Sequence, residues 1–317
     1  MKLLVHYNHP EILLDIVESR FPDLEVHCCR SYAALGSDMA TLGPEVVYCI
    51  KFEDRPYPRE ALIGDPALKW ISVGGAGVDH LAPWDPARLR VTNSAGVASD
   101  VMAQYVLAAI LTLTLRLPAF ARAQAERRWA PQEVGSIAGR TVAVIGLGHT
   151  GRDVARRVGA AGLRVLGLRA RPRPMEGVDR VYGPEALEEV LAEADYVVVS
   201  LPLTERTRHL IGRRAIAAMK PGAFLIDVSR GGVVDGAVLS EALAEGRLGG
   251  AMLDVFEREP LPPDSPFWDL ENVIVTPHSS SVYEGWERAS AAMFCDNLVR
   301  WRAGQALDNV VDPARGY

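Results

Sequence analysis

The chain has 317 residues, which is enough for about two domains. Hydrophobic residues make up 49% and charged residues 23% of the sequence, as in ordinary globular proteins. The formal net charge is −6, and a field of that sign repels nucleic acid and anionic membranes, so neither is an expected partner. No run of about 18 uncharged apolar residues occurs, which predicts that no segment spans a membrane.

The chain contains four cysteines, at Cys28, Cys29, Cys49 and Cys295. No pair of them has the spacing of a metal site, and adjacent cysteines are poor disulfide partners. The first residues lack the apolar core and the cleavage site of a signal peptide. We therefore expect free thiols, no bound metal and a cytoplasmic location.

The first hundred residues alternate short apolar runs with helical patterns. Strands are predicted at residues 2–7, 24–28, 45–50 and 70–73. A helix is predicted at residues 11–19, and the last apolar run leads into Gly74-Gly75-Ala76-Gly77. Strands separated by helices indicate a parallel α/β sheet.

A long helical pattern runs from Ser99 to Arg127 and is rich in Ala, Leu and Met on more than one face. Pro118 should kink or interrupt this helix, because proline lacks the N–H group that the helix needs. A helix that is apolar on several faces is buried, either in a core or at a subunit interface.

A second α/β unit begins with the apolar strand TVAVI at residues 141–145. Further strands are predicted at residues 164–168, 196–200, 223–228, 251–253 and 273–275. Six strands with helical crossovers match a doubly wound parallel sheet. A last helix is predicted at about residues 283–302, and we expect it to return and complete the first sheet.

The first strand of this second unit is followed directly by Gly146-Leu147-Gly148-His149-Thr150-Gly151, and a helix is predicted at residues 153–161. Gly146 permits a tight turn, Gly148 lets the backbone approach a pyrophosphate, and Gly151 lets the helix pack closely on the strand. The helix N-terminus adds free N–H groups and a partial positive charge. The pattern predicts a dinucleotide site of the Rossmann type.

The domain organisation follows from this pattern. Residues 99–283 are predicted to form a Rossmann-type, dinucleotide-binding domain. It is inserted into a smaller, flavodoxin-like α/β domain that binds the substrate and comprises residues 1–98 and 284–317. Hinges are predicted near Ala98 and Tyr283.

The strand at residues 164–168 should end where the adenine ribose is bound. An NAD enzyme usually has an acidic residue there, which binds the 2′-hydroxyl group. This chain has Arg169, then Arg171 and Arg173, and no acid before Glu176. Guanidinium groups bind a 2′-phosphate through charge-assisted hydrogen bonds, so the predicted cofactor is NADP, as NADPH.

Three later strands are each followed by ionisable residues. The segments are Asp227-Val-Ser-Arg230-Gly-Gly, Leu253-Asp254-Val-Phe-Glu257-Arg-Glu259-Pro260 and Thr276-Pro277-His278. Because the carboxyl ends of strands converge in an open α/β sheet, we expect these segments to meet at the nicotinamide end of the cofactor.

In these segments the chain resembles the D-isomer-specific 2-hydroxyacid dehydrogenases, and glyoxylate/hydroxypyruvate reductases in particular. The resemblance extends over nearly the full length and includes SVGGAGVD at residues 72–79, VTNSAGV at 91–97, LPLT at 201–204 and the three segments above. It implies that Arg230, Glu259 and His278 are catalytic.

The proposed roles suit these residue types. Arg230 would bind the carboxylate and the carbonyl oxygen of a 2-oxoacid. His278 would donate a proton to that oxygen during reduction, and Glu259 would favour the imidazolium form of His278. Glu257 is a rival for the acidic position, but Glu259 stands before Pro260 as in the family.

The resemblance implies further contacts. The predicted cofactor contacts, besides the glycine loop and the arginines, are Val97, Ser99, Leu201, Pro202, Thr204, Val228, Ser229 and Asp254. The backbone amides of Gly75, Ala76 and Gly77 would bind the substrate carboxylate together with Arg230 and His278. Lys51 lies either on the substrate side or in solvent, and Trp84, Trp129, Tyr283 and Trp286 are either pocket or packing residues.

The resemblance therefore implies a reductase that converts glyoxylate, hydroxypyruvate or a similar small 2-oxoacid to the D-2-hydroxyacid. A homodimer is expected through the helical region Ser99–Arg127. One alternative is an NAD-linked dehydrogenase that works oxidatively. Another is a cofactor-sensing protein that resembles the C-terminal-binding corepressors. Glu259 disfavours a formate dehydrogenase, because that branch has Gln at this position.

Overall fold

The structure is a computed structural model that describes residues 1–53, 55–313 and 316. The chain divides into two compact units, Met1–Val97 with Glu284–Tyr317, and Ala98–Tyr283.

Twelve strands lie in the described part of the chain. They are β1 (Lys2–His6), β2 (Glu25–Cys29), β3 (Val46–Cys49), β4 (Trp70–Val73), β5 (Arg90–Asn93), β6 (Thr141–Ile145), β7 (Arg164–Leu168), β8 (Arg180–Tyr182), β9 (Tyr196–Val199), β10 (Phe224–Asp227), β11 (Gly250–Leu253) and β12 (Val273–Val275).

The same residues form ten α-helices. They are α1 (Glu11–Arg20), α2 (Leu35–Leu42), α3 (Glu60–Ile63), α4 (Ser99–Thr114), α5 (Leu117–Ala125), α6 (His149–Ala160), α7 (Leu187–Glu193), α8 (Arg213–Ala218), α9 (Gly236–Ala244) and α10 (Trp286–Arg302).

The first unit contains a parallel five-stranded sheet in the order β2-β1-β3-β4-β5, which is the flavodoxin-like order. Alternate residues of a strand face opposite sides, so Leu4 and Leu3 belong to different apolar clusters. One side is covered by α2 and α3. The other is covered by α1 and by the terminal helix α10, whose Phe294 and Leu298 are fully buried.

The second unit contains a parallel seven-stranded sheet in the order β12-β11-β10-β9-β6-β7-β8. The strand order reverses between β6 and β9, and ligands of such sheets bind beyond the carboxyl ends of the strands at that point. Strands β6 and β9 are buried along their whole length. The predicted fold class, with a Rossmann-type sheet and a second α/β sheet, is confirmed.

The structure corrects several element predictions. It adds β5 to the first sheet and β8 to the second, so the second sheet has seven strands and not six. Both added strands are short. Their sequences, RVTN in β5 and RVY in β8, lack the apolar run of a central strand. Helix α6 begins at His149, four residues before the predicted start, because Gly148 is already its extended N-cap residue.

The long helical pattern is divided into α4 and α5, whose axes differ by 65°. Pro118 lies in the first turn of α5, and Arg116 at the break has a left-handed φ of 54°. Proline tolerates a first turn and disrupts a helix interior, which explains the break. Among the described helices, no single one is long and apolar enough to span a membrane, and only the bent pair α4 and α5 reaches that length and composition together.

Candidate active site

The glycine-rich turn after β6 is shaped by close backbone contacts. Gly146 has a φ of 105°, a conformation that side chains disfavour. A Cβ atom on Gly151 would lie 1.8 Å from the carbonyl oxygen of Gly146, so only glycine lets α6 approach the strand. The hydroxyl of Ser200, after β9, donates to the same carbonyl at 2.8 Å and fixes the turn from the neighbouring strand.

Gly148 differs from these two glycines. A Cβ atom there would meet nothing within 4 Å, and the residue is exposed at the N-terminus of α6. The space in front of Gly148 therefore suits a ligand that approaches the backbone closely. The free N–H groups and the dipole of α6 favour an anionic group such as a pyrophosphate.

The other residues of the turn have distinct surroundings. Leu147 is buried, and Thr150 donates to the sulfur of Met102 at 3.6 Å. His149 is exposed at the surface, but partial desolvation of its ring and the charge of Arg152 lower the pKa of its imidazole.

Arg169 follows β7 directly, as predicted. Its backbone N–H donates to the carbonyl of Tyr182 at 3.1 Å, which places it at the edge between β7 and β8. Its Nη1 atom is buried and has no hydrogen-bond partner among the described residues. A buried guanidinium nitrogen without an acceptor fits an anionic ligand, whereas Arg171 is exposed.

Leu201, Pro202 and Thr204 lie in the segment that follows β9, and all three are partly buried. Thr207 closes this segment, because its hydroxyl donates to the carbonyl of Pro202 at 2.7 Å and accepts from the N–H of Thr204 at 2.8 Å. The side chain of Leu201 would lie 2.9 Å from a Cβ atom on Gly146, so this segment borders the glycine turn.

Glu259 and His278 form a direct pair. The Oε2 atom of Glu259 lies 2.8 Å from Nδ1 of His278, and Oε1 accepts from the N–H of Phe256 at 2.9 Å. The two side chains are 34% and 37% exposed, so the pair is open on one side. Burial would raise the pKa of Glu259, but the hydrogen bonds from His278 and Phe256 outweigh it, and the pKa is lowered.

Arg230 lies at the same edge of the sheet. Its Nη1 atom donates to the carbonyl of Ser229 at 2.8 Å, and its charge contributes to the lowered pKa of Glu259. A Cβ atom on Gly231 would lie 1.9 Å from the carbonyl oxygen of Phe256, so the segments after β10 and β11 are packed backbone against backbone. Glu257 instead pairs with His209 at 3.1 Å.

Asp254 is 1% exposed and is held by the segment around His278. Its carboxylate accepts from the hydroxyl of Thr276 at 2.6 Å and from the N–H groups of Ser279 and Ser280 at 2.8 and 2.9 Å. Hydrogen-bond donors of the protein thus surround Asp254, for which the resemblance implies a contact with the cofactor.

Sequence reasoning assigned no role to Asp227, the last residue of β10. Burial raises the pKa of Asp227 to about 7, against the lowering effect of hydrogen bonds from Ser229. The N–H and the hydroxyl of Ser229 donate to Oδ1 of Asp227 at 2.9 and 2.5 Å, and Ser229 and Val228 are both buried. The apolar strand FLI before Asp227 was the only signal that this carboxyl is buried.

The predicted residues at the hinge fall in different units. Val97 is the last residue of the first segment of one unit, and its N–H donates to the carbonyl of Ser94 at 3.2 Å. Ser99 begins α4 in the other unit. Its hydroxyl is buried and lacks a partner within the described residues.

In the first unit, the turn at Gly75–Gly77 is held through its carbonyl groups. The carbonyls of Gly74, Gly75 and Ala76 accept from Ser290 Oγ, the N–H of Ser94 and Asn93 Nδ2, at 2.9, 3.0 and 2.7 Å. The amides of Gly75, Ala76 and Gly77 donate to no acceptor in the described part of the chain. Consecutive amides of this kind could bind an anion, as the sequence predicts for them.

The remaining candidates are dispersed. Lys51 is exposed, Trp84 is buried in the apolar cluster of α2 and α3, and Trp129 is 93% exposed. Tyr283 and Trp286 fall on either side of the unit boundary. Trp84 is therefore a packing residue.

The parallel sheet, the glycine turn at its switch point and the polar strand ends define a dinucleotide-binding protein. Residues 107–280 match the sequence model of the D-isomer specific 2-hydroxyacid dehydrogenase, NAD binding domain. A glyoxylate reductase of Korarchaeum cryptofilum is 34% identical over 81% of this chain and 80% of that protein. The chain belongs to the family of D-isomer specific 2-hydroxyacid dehydrogenases, which confirms the resemblance seen in the sequence.

Solved structures support the same assignment. A D-isomer specific 2-hydroxyacid dehydrogenase from Xanthobacter autotrophicus Py2, in complex with NADPH and MES, has a TM-score of 0.87 and 35% identity over 99% of both chains. An NADPH-dependent glyoxylate/hydroxypyruvate reductase from Sinorhizobium meliloti, in complex with NADP and sulfate, has a TM-score of 0.85 and 30% identity. It covers 100% of this chain and 99% of that chain.

The two kinds of glycine in the turn predict different mutant behaviour. Gly148→Ala should fold normally, because its Cβ atom meets open space, yet bind the dinucleotide at least about tenfold more weakly, because the methyl group occupies the phosphate position. Gly151→Ala should lower the free energy of unfolding, because its Cβ atom collides with the backbone. Fluorescence titration and urea denaturation measure the two effects. Wild-type affinity in Gly148→Ala would contradict this reading of the turn.

Proposed function

We propose that the protein is an NADPH-dependent reductase that converts glyoxylate, hydroxypyruvate or a similar small 2-oxoacid to the D-2-hydroxyacid. The observation that carries the proposal is the 2.8 Å pair between Glu259 and His278, with Arg230 at the same edge of the sheet. Residues 98–283 would hold the dinucleotide, and the unit that contains Gly75–Gly77 would bind the substrate. The glyoxylate reductase and the glyoxylate/hydroxypyruvate reductase among the similar proteins support this assignment.

His278 is the proposed proton donor. Because Nδ1 is occupied by Glu259, Nε2 is the nitrogen that would give a proton to the carbonyl oxygen of the substrate. The carboxylate of Glu259 would stabilise the imidazolium before the transfer and hold the ring in one orientation. The hydrogen bond from the backbone N–H of Phe256 keeps that carboxylate in place.

Arg230 is the proposed electrostatic group. Its planar guanidinium would bind the substrate carboxylate and stabilise the negative charge that develops on the carbonyl oxygen. The amides of Gly75, Ala76 and Gly77 are the second proposed binding group for a carboxylate. The bound cofactor would supply the hydride, and the protein residues would supply position and a proton.

The first test is turnover of glyoxylate and hydroxypyruvate with NADPH. His278→Gln should lower kcat by about 10²- to 10⁴-fold, the usual contribution of a general acid. Glu259→Gln keeps the imidazole but removes the carboxylate that pairs with Nδ1 and orients the ring. It should therefore lower kcat as well, although less than His278→Gln does.

Glu257→Gln is the matched control for Glu259→Gln, because Glu257 pairs with His209 and not with His278. It should leave kcat unchanged. Tight cofactor binding without turnover of any 2-oxoacid would instead favour a cofactor sensor, and oxidation of D-2-hydroxyacids with NAD would favour the NAD-linked alternative.

NADPH is the proposed form of the cofactor because of Arg169. Its buried, unpartnered Nη1 atom and the exposed Arg171 beside it supply positive charge where the 2′-phosphate would lie. The structures from Xanthobacter and Sinorhizobium were solved with NADPH and NADP, which supports the same choice. Val97, Ser99, Leu201, Pro202, Thr204, Val228, Ser229 and Asp254 remain predicted contacts of this cofactor.

Arg169→Ala should lower the ratio of kcat/KM for NADPH to kcat/KM for NADH by about tenfold or more, since a hydrogen bond to a charged group contributes about 1.5–3 kcal/mol. Arg214→Ala is the control, because Arg214 is an exposed arginine paired with Glu188 on another helix. Steady-state kinetics with both cofactors measures the ratio. An unchanged ratio in Arg169→Ala would contradict the role of this guanidinium.

We also propose a homodimer through Ser99–Arg127. In α4, Ala108 is exposed, and Val101 and Leu111 are partly exposed at helical spacing. Leu115, directly after α4, is also partly exposed, and Leu117 in α5 is 46% exposed. An apolar stripe of this length on a helix is typical of a subunit contact.

Sedimentation equilibrium should therefore give the mass of two chains. Ala108→Glu should shift the protein toward the mass of one chain, because it would bury a charge in the contact while remaining a good helix residue in the monomer. Ser19→Glu, on the exposed face of α1, should remain dimeric. A monomeric wild-type protein would exclude the proposed contact.

A cytoplasmic location is the remaining proposal. Cys28, Cys29, Cys49 and Cys295 are all free thiols in the structure, and free thiols suit a reducing compartment.

A further inference from the structure

His278 lies in a turn that requires support from its surroundings. Its φ is 51°, in the left-handed region that a non-glycine residue rarely adopts. Such a conformation persists only where neighbouring groups hold it, and it often occurs at functional sites. The groups that hold residues 276–280 therefore decide where the imidazole lies.

Asp254 holds this turn on both sides of His278. Its backbone carbonyl accepts from the N–H of His278 at 2.9 Å. Its carboxylate accepts from Thr276 before the histidine and from Ser279 and Ser280 after it. One buried residue at the end of β11 thus makes four hydrogen bonds to the turn.

Thr276, which donates to this carboxylate, is itself bonded to a hydroxyl from α4. The Tyr105 hydroxyl lies 2.5 Å from Oγ1 of Thr276. Thr276 has a single hydroxyl proton and donates it to Asp254, so it must accept the proton of Tyr105. Burial raises the pKa of Tyr105 to about 12, so that its hydroxyl keeps this proton throughout the working pH range.

We propose that Tyr105 is a positioning residue for His278, acting through Thr276 and Asp254. The inference rests on the proposed function, in which His278 donates a proton. The chain of donors runs in one direction, from Tyr105 to Thr276 and then to Asp254. These hydrogen bonds fix the side chain of Thr276 at the start of the turn. They therefore also fix the path of the backbone that leads to His278.

The effect should be on catalysis more than on binding. A loss of the Tyr105 hydroxyl leaves Oγ1 of Thr276 without its donor and frees the threonine to turn away from Asp254. The imidazole would then sample positions displaced from the substrate oxygen, and small displacements of a reacting group lower kcat strongly. Neither hydroxyl is a proposed ligand of the substrate, so the KM for glyoxylate should change little.

The chain offers a matched control on the same helix. The Tyr196 hydroxyl, at the start of β9, lies 2.7 Å from Oγ1 of Thr114 in α4. Thr114 donates to the carbonyl of Ile110, so Tyr196 donates to Thr114, as Tyr105 does to Thr276. Tyr196→Phe removes a buried Tyr–Thr bond of the same kind with no link to His278.

The experiment compares Tyr105→Phe, Thr276→Val, Thr276→Ser and Tyr196→Phe in the full chain. We expect kcat with NADPH and glyoxylate to fall about tenfold in Tyr105→Phe and Thr276→Val, with the KM for glyoxylate within about twofold. Thr276→Ser keeps the hydroxyl and should restore most of kcat, and Tyr196→Phe should retain it. Equal kcat values in Tyr105→Phe and Tyr196→Phe would overturn the inference.

A second measurement does not depend on turnover. Hydrogen exchange of the Ser279 and Ser280 amides, which donate to Asp254, should be faster in Tyr105→Phe and Thr276→Val than in Tyr196→Phe. If wild-type protein reduces no 2-oxoacid, the proposed function fails while this exchange still tests the turn. Unchanged exchange in both variants would show that Tyr105 does not hold the turn.

Discussion

Parallel pairing of β10, β11 and β12 is the constraint on which the site depends. It brings three carboxyl ends to one edge of the sheet, and each end carries one of the proposed catalytic residues within a few positions. The absence of a side chain at Gly231 then lets the first two segments touch through their backbones. Glu259 reaches His278 at 2.8 Å because β11 and β12 are neighbours and their loops rise from the same edge. A guanidinium, a carboxylate and an imidazole are thus brought to the same edge of the sheet without any of them lying in regular structure.

The glycines of the turn after β6 show two different physical reasons for the same residue type. Gly146 and Gly151 are required by the backbone itself, through a positive φ and a 1.8 Å approach. Gly148 meets no such demand in the protein, and the open space in front of it suits the predicted pyrophosphate. The adjacent helix N-terminus and the unpaired Nη1 atom of Arg169 supply positive charge in a chain whose net charge is −6. Local geometry, and not overall charge, therefore accounts for anion binding here.

The sequence predicted the central strands and the site segments because both leave local signals. TVAVI is apolar throughout and ends in three spaced glycines, and each proposed catalytic residue follows an apolar run. The edge strand β8 was missed because it has only three residues and begins with the exposed Arg180, so that it forms no apolar run. The Tyr105–Thr276 bond joins residues 171 positions apart, and nothing in either segment indicates the other. Contacts of this kind depend on how α4 packs on the sheet, which periodicity does not encode.

Two buried acidic residues, Asp227 and Asp254, influence the charge around Arg230. Asp227 and Asp254 end neighbouring strands, and the N–H of Asp254 donates to the carbonyl of Asp227 at 3.1 Å. Burial is the main cause that raises the pKa of Asp227 to about 7, and the charge of Asp254 acts in the same direction. The hydrogen bonds from Ser229 and the charge of Arg230 oppose this rise. Asp227 therefore carries less than a full negative charge near neutral pH. A weaker counter-charge at the end of β10 would leave more of the positive charge of Arg230 for the anionic substrate that we propose.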